Sequence, residues 1–311
     1  MSEKKIDILS IGEPMVEMNQ TQPGKPEYLQ GFGGDTSNAA IAAARQGAKV
    51  AYFTRLGEDE FARMFLELWK AEGVDASAVP RDPKAFTAVY FVQHGPQGHA
   101  FHYLRNGSAA SRMKPEDVPE ELLKSAKFVH ASGISLAISG PAQHTVMTSF
   151  DKAKKAGARI SFDANLRTRL WTIEEAKKGI AAAAKLSDCF FASVEDAEAL
   201  SGLKARDAMI DWAHRLGAVN VFLKLGAEGA MVSNVSSREL IRGMSVKSVD
   251  ATGAGDCFCG AALARLAAGD DVFAAARYAN VAAALATTGF GAVAPIPTPD
   301  LVMKHLPKNR A

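Results

Sequence analysis

Charge of either sign is not in excess here: of 311 residues, 36 are Lys or Arg and 34 are Asp or Glu, a formal net charge of +2. So close a balance leaves no global field to recruit nucleic acid or an anionic membrane, and a small anionic ligand would have to be held by local charges. Cysteine is scarce. Cys189, Cys257 and Cys259 are odd in number, and two are one residue apart in an apolar run. That excludes a disulfide framework and reads as buried reduced thiols of a cytoplasmic protein. No apolar run reaches membrane-spanning length, and Met1-Ser2-Glu3-Lys4-Lys5 leads into a strand-like run too short for a signal-peptide core. Two phosphate-binding loops are missing: there is no Gly-x-x-x-x-Gly-Lys-Ser/Thr, and no Gly-x-Gly-x-x-Gly follows the first strand. The seven histidines show no metal-ligand spacing. With 48% hydrophobic residues, what is present suffices for one large core plus an appendage.

The organising stretch is Asp250-Ala251-Thr252-Gly253-Ala254-Gly255-Asp256, followed at once by the Ala/Leu-rich run Cys257 to Ala268. That run reads as a helix buried on most sides, with the small-residue turn delivering the backbone into its first turn. Helix N-termini carry unpaired N–H groups and a partial positive charge, so the amides of Gly253, Ala254 and Gly255 can converge on one phosphoryl group. Asp256 lies at the edge of this cradle, placed to take a proton from an attacking hydroxyl. An isolated Gly-Ala-Gly-Asp is by default a helix entry whose Asp merely caps the end; the rest of the chain shifts that balance.

Ile6 to Gly12 reads as a buried strand, and Gly33-Gly34-Asp35 feeds a helix from Thr36 to Gln46. Between them, Met15 to Met18 and Tyr28 to Gln30 are short extended pieces on an excursion from the core. Val50 to Leu56 reads as a strand and Glu58 to Glu72 as a helix. Thr87 to His94 and His99 to Arg105 flank Gly95-Pro96-Gln97-Gly98, a strong hairpin signal. Pairing His94 with His99 sets Tyr90 opposite Tyr103, and puts Tyr90, Tyr103 and Arg105 on one side of the ribbon. Such a face suits a lid over a polyhydroxylated anionic ligand. It suits equally an edge hairpin packed on the body or on a second subunit.

From Phe128 onward strands and helices alternate, which predicts a mainly parallel sheet covered on both faces. Its strands are Phe128–Ser132, Arg159–Asp163, Cys189–Ala192 and Val219–Lys224, with Ala230–Asn234 and Arg238–Val249 as an antiparallel finish. The helices are centred on Gln143–Lys155, Ile173–Lys185, Val194–Leu200 and Ala208–Leu216. A last apolar helix, Val272–Thr287, precedes a Pro-rich tail. Ligands bind beyond the carboxyl ends of such strands, where Asn165, Arg167, Ser193, Gly226 and Gly229 fall.

Asp250 to Asp256 resembles the C-terminal signature of the PfkB (ribokinase-like) carbohydrate kinases, Asp-Thr-x-Gly-Ala-Gly-Asp, with Ala251 where that family usually has Thr. The N-terminal signature resembles Gly31-Phe32-Gly33-Gly34-Asp35-Thr36-Ser37-Asn38-Ala39-Ala40, over 200 residues earlier. Two signatures in order are far more specific than either alone, and the resemblance covers essentially the whole chain. It implies one α/β domain over residues 1–311, a ribokinase-like three-layer sandwich with a mainly parallel central sheet. A small β-sheet lid would be built from insertions at about 13–33 and 86–108.

The resemblance also implies roles. Asp256 would be the catalytic base, and Gly253, Ala254 and Gly255 would hold the transferring group. Gly34, Asp35, Asn38, Tyr90, Tyr103, Arg105 and Arg167 would bind the sugar. Asn165, Arg167, Ser193, Lys224, Gly226, Gly229 and Asn280 would border ATP, together with Gly253 and Gly255. Cofactors would be ATP and Mg2+, with a monovalent cation such as K+ as a third whose requirement the sequence does not decide. The family's Asn-x-x-Glu motif aligns on Ser193-Val194-Glu195-Asp196, where Ser and Asp replace Asn and Glu, so no metal ligand is assigned.

The segments Tyr103 to Ser111 and Asp163 to Trp171 resemble the 2-keto-3-deoxygluconate kinase branch. A planar guanidinium at Arg105 or Arg167 matches a sugar-acid carboxylate with two hydrogen bonds. For both, a surface ion pair competes, and for Arg167 also a contact to ATP phosphates alone. The expected reaction is phosphorylation of the C6 hydroxyl. A fructokinase or other neutral-sugar kinase is the nearest alternative, and a non-catalytic sugar-binding regulator a more distant one. Expected partners are a sugar acid and ATP, with no nucleic acid or membrane, in a homodimer or higher homo-oligomer.

Overall fold

The computed structural model describes residues 4–95 and 98–307; the expected hairpin tip at Pro96-Gln97 and the N-terminal Met1–Glu3 lie outside them. The chain builds a nine-stranded sheet from β1 (Ile6–Ile11), β4 (Val50–Phe53), β6 (Val74–Asp75) and β10 (Ala126–Ser132) through β15. The others are β11 (Arg159–Asp163), β12 (Cys189–Ser193), β13 (Asn220–Lys224), β14 (Gly229–Ser233) and β15 (Arg238–Arg242). Their order is β15-β14-β13-β12-β11-β10-β1-β4-β6, parallel from β13 to β6, with β14 and β15 antiparallel at one end. Interior strands such as Cys-Phe-Phe-Ala in β12 are apolar on both sides because both faces are covered.

Successive residues divide the core in two. Ile8, Phe128, Phe191 and Phe222 face one cluster, with α1 (Asp35–Arg45), α2 (Glu60–Ala71), α9 (Ala254–Ala268), α10 (Val272–Ala286) and α11 (Pro299–His305). Leu9, Val129, Phe190 and Val221 face the other, with α3 (Glu120–Ser125), α4 (Gly133–Ala137), α5 (Gly140–Lys155), α6 (Ile173–Leu186), α7 (Val194–Ser201) and α8 (Arg206–Leu216). This is the expected three-layer arrangement. The helix starts are chemically marked: Asp59 accepts from the Ala62 amide at 2.8 Å at the head of α2, and Thr172 with Glu175 forms a capping box on α6. All three cysteines are buried and unpaired.

A separate four-stranded sheet joins β2 (Met15–Gln20) and β3 (Tyr28–Gly33) to the hairpin β8 (Val89–Gly95) and β9 (Gly98–Leu104), in the order β3-β2-β8-β9. The hairpin register is the expected one, His94 opposite His99 and Tyr90 opposite Tyr103. Unexpected is the parallel pairing of β2 with β8, which sets Glu17 beside Tyr90.

Other details depart from the sequence reading. The strand expected from Val50 to Leu56 breaks after Phe53, and Leu56–Gly57 (β5) pairs with Arg81–Asp82 (β7). Between them Arg55 turns to the carboxylates of Asp82 and Asp117, contacts that a continuing core strand would not allow. The strand expected as far as Val249 ends at Arg242, where its partner β14 runs out. α3, α4 and α11, each of seven residues or fewer, are too short to show a period.

Candidate active site

The first turn of α9 is set by its neighbours. Asp250 accepts the Thr252 amide (2.9 Å) and hydroxyl (2.7 Å) on one oxygen and the Gly291 amide (2.9 Å) on the other. Gly253 then adopts the left-handed conformation, φ 75°, and a Cβ there would sit 2.8–3.0 Å from atoms of Ala292, so both conformation and space call for glycine. The Ala254 amide, expected to help hold an anion, here closes this turn on the Ala251 carbonyl at 3.2 Å. The amides of Gly253, Gly255 and Asp256 have no acceptor among the described residues. Those three form the free donor set, at the positive end of a 15-residue helix.

Asp256 lies between two helix starts. Its Oδ2 accepts from Asn38 Nδ2 at 2.8 Å, and Asn38 belongs to the first turn of α1, after Gly34. Asp35, one turn earlier, accepts its neighbour Thr36's amide on Oδ1 (2.9 Å) and Asn165 Nδ2 on Oδ2 (2.7 Å). α1 and α9 approach closely at Gly260, where a Cβ would stand 2.2 Å from the Ala39 carbonyl oxygen. The two signature stretches are thus brought together side by side.

Burial, then the charge of Asp35, pushes the Asp256 carboxyl up to about 7; Asp163 adds to this, while the Asn38 amide and the Lys224 charge hold it down. Lys224, at the end of β13, pairs with Asp163 at the end of β11 over 2.7 Å. Burial, the largest single influence, disfavours its ammonium, but the charge and hydrogen bond of Asp163 together with Cys259 and Asp196 outweigh it, and Lys224 is held charged. Lys224 Nζ lies 3.3 Å from where a Gly255 Cβ would be, so a fixed cation backs the amide cradle. Cys259 donates toward Asp163 Oδ2 at 3.4 Å, while Asp163 Oδ1 is buried with no hydrogen-bond partner among the described residues.

The hairpin closes the other side. Tyr90 and Tyr103 stack with ring centroids 5.7 Å apart, and the Arg105 guanidinium lies 5.8 Å from the Tyr103 ring. Tyr90 donates to Glu17, and Arg105 pairs with the buried Glu13, which also accepts from Ser108. Burial raises Glu13 from its ordinary range, with Arg105 and Ser108 pulling it back. The Tyr90 hydroxyl is raised by burial, by Glu17 and more weakly by Asp256, so the hairpin face and Asp256 share one field. Glu13 and Glu17 escaped the sequence reading; the available signal was a pair of carboxylates, one on the short strand β2 and one just before it, in an otherwise apolar stretch after β1.

The residues expected around a nucleotide divide. Lys224, Gly253 and Gly255 meet at the head of α9. Ser193 instead caps α7: its Oγ accepts the Asp196 amide at 3.0 Å, and Asp196 Oδ1 accepts the Leu166 amide at 3.2 Å. Arg167 is exposed, its guanidinium donating to the Leu166 carbonyl at 2.8 Å. Gly226 and Gly229 bracket the turn from β13 to β14. Asn280 is buried and gives its amide to the Ile241 carbonyl at 3.0 Å, tying α10 to β15, while Asn165 reaches Asp35. Three free amides and a fixed ammonium fit a phosphoryl anion. Among the described residues no group of three or more His, Cys, Asp or Glu could hold a metal. A nucleotide-borne Mg2+, which keeps several waters and takes phosphate oxygens, does not need such a group.

A family model described as pfkB family carbohydrate kinase matches residues 5–299. The 2-dehydro-3-deoxygluconokinase of Thermoproteus tenax is 34% identical over 307 residues, covering 96% of this chain and 93% of that protein. Fructokinase-2 of Solanum habrochaites is 34% identical over 308 residues, covering 94% and 93%. The crystal structure of fructokinase from Vibrio cholerae O395, in its fructose-, ADP- and calcium-bound form, superposes with a TM-score of 0.89 at 29% identity, covering 98% of this chain and all of that one.

Proposed function

This chain belongs to the pfkB family of carbohydrate kinases, phosphotransferases with a ribokinase-like α/β fold, and from that premise we propose that it phosphorylates a sugar acid of the 2-keto-3-deoxygluconate type at the C6 hydroxyl, using ATP. Asp256 takes the hydroxyl proton as the oxygen attacks the γ-phosphorus; the new O–P bond forms and the bond to the leaving ADP oxygen breaks. The Gly253, Gly255 and Asp256 amides, backed by Lys224, stabilise the charge on the transferring group; removing one such donor typically costs about 3 kcal/mol. Mg2+ carried in with ATP would shield its phosphates. Gly34, Asp35 and Asn38 hold sugar hydroxyls, and Tyr90 and Tyr103 cover the ring.

The carrying observation for an acidic substrate is Arg105. Its guanidinium lies at the sugar-facing hairpin, 11% exposed, and its Nε has no partner among the described residues. Fructose as acceptor is a second reading, favoured by one fact: Glu13 already neutralises Arg105, and a neutral pair has less need of a carboxylate. ADP release with ketodeoxygluconate and with fructose separates the two. Sugar-acid turnover well above that on fructose, with Arg105→Ala raising KM for the acid by about tenfold and leaving KM for the neutral sugar nearly unchanged, supports the first. Equal turnover of both sugars, or an equal Arg105→Ala effect on both, defeats it.

A further inference from the structure

We propose that Asn165 is a positioning residue for Asp35, held in a strained main-chain conformation in order to reach it. The inference rests on the kinase reading above, since it takes Asp35 as a group that holds sugar hydroxyls. Asn165 is the one non-glycine residue with positive φ, +30°, among the described residues. L-residues occupy that region at a cost and persist there only where the surroundings force it, and Asn is among the few side chains that enter it readily.

The surroundings here do force it. On one side, the Ala164 amide donates to the Phe191 carbonyl at 2.8 Å. The Ala164 carbonyl lies against Gly133, where any Cβ would be 2.0 Å from its oxygen. On the other side, the Leu166 amide is held by Asp196 Oδ1 at 3.2 Å. Between these two pins Asn165 has one direction to point. Its side chain is 8% exposed and its Nδ2 donates to Asp35 Oδ2 at 2.7 Å.

The bond spans 130 residues of sequence and orients the oxygen of Asp35 that the Thr36 amide does not hold. That bond uses one of the two N–H groups of the amide and fixes the side chain toward Asp35. Strain at the end of β11 therefore sets the orientation of a carboxylate at the start of α1, on the sugar side of the site.

Asn165→Gly tests this because it deletes the amide while relieving the backbone. The expected result is a KM for the sugar raised by about tenfold, with KM for ATP within about twofold of wild type. Tm should fall less than in Asn165→Ala, since glycine adopts this conformation freely and so offsets part of the lost bond to Asp35. Asn165→Ala deletes the same amide but keeps the strained conformation, so it should show the same sugar shift with a lower Tm. A sugar KM left unchanged by both variants, or a KM for ATP that rises as far as that for the sugar, overturns the proposal. A purely structural residue would move the two constants together, which also counts against it. Calorimetric titration with ADP needs no acceptor: its Kd should be the same in wild type and Asn165→Gly, and a tenfold weakening overturns the proposal even if wild type phosphorylates no sugar in the panel, an outcome that would defeat the kinase reading by itself.

Discussion

Removing the Asn38 amide should move the pH at which this enzyme switches on. Asn38 Nδ2 donates to Asp256 Oδ2 at 2.8 Å, and this bond favours the carboxylate over the carboxylic acid. A hydrogen bond to a charged group is worth about 1.5–3 kcal/mol, and each pH unit corresponds to about 1.4 kcal/mol. Asn38→Ala should therefore raise the Asp256 midpoint by about 1–2 units, from about 7 toward 8–9. Only the carboxylate can take the hydroxyl proton, so the acid limb of kcat/KM moves to higher pH and activity at pH 7 falls by about 5- to 50-fold. The assay is initial ADP release against pH for both proteins. Its readout is the midpoint and not the height, because loss of a sugar contact at Asn38 lowers the whole curve without sliding it. An acid limb that stays in place, or moves to lower pH, refutes the assignment of Asp256 as the base tuned by Asn38.

Four other substitutions probe the same framework. Asp256→Asn should abolish turnover and raise Tm at pH 8 by several degrees. Asp256 titrates higher in the folded than in the unfolded chain, so its ionisation costs stability that is absent below about pH 4 and fully felt above about pH 7; an equal Tm gain at pH 4 would refute the sign. Lys224→Met should cost about 3–5 kcal/mol in urea unfolding by leaving Asp163 buried and unpaired. Adding Asp163→Asn should recover most of that loss, and a double variant as unstable as the single would show that the pair is not the cause. Gly260→Ala would normally gain about 1 kcal/mol of helix propensity, but its Cβ would sit 2.2 Å from the Ala39 carbonyl. Such overpacking costs about 1–3 kcal/mol, so the expected net effect is a loss of up to about 2 kcal/mol and a lower kcat as α1 and α9 part; a more stable variant overturns it.

Much of this was legible before any coordinates because period and order are local or additive signals. Alternating strands and helices announced the parallel sheet, and the hairpin register followed from four turn residues and the two-residue repeat of a strand. The two signatures announced a shared site. What was hidden depends on pairings between distant segments. Glu13 and Glu17 gain meaning only because β2 runs parallel to β8, and no local pattern states that.

A second kind of blindness concerns polar groups that have two possible uses. The sequence shows which residues carry donors and acceptors at strand and helix ends, but not whether the protein itself consumes them. Ser193 and Asp196 spend themselves on the start of α7, and Asn280 spends its amide on β15. Ala254 closes a turn on Ala251 because Gly253 takes the left-handed conformation, a choice that glycine leaves open. The converse marks the groups that the proposed reaction would use: among the described residues, the amides of Gly253, Gly255 and Asp256 lack acceptors and Arg105 Nε lacks a partner. A folded chain that buries or orients donors without using them has left them open to a ligand, and here they lie about the meeting of α1 and α9, where both signatures converge.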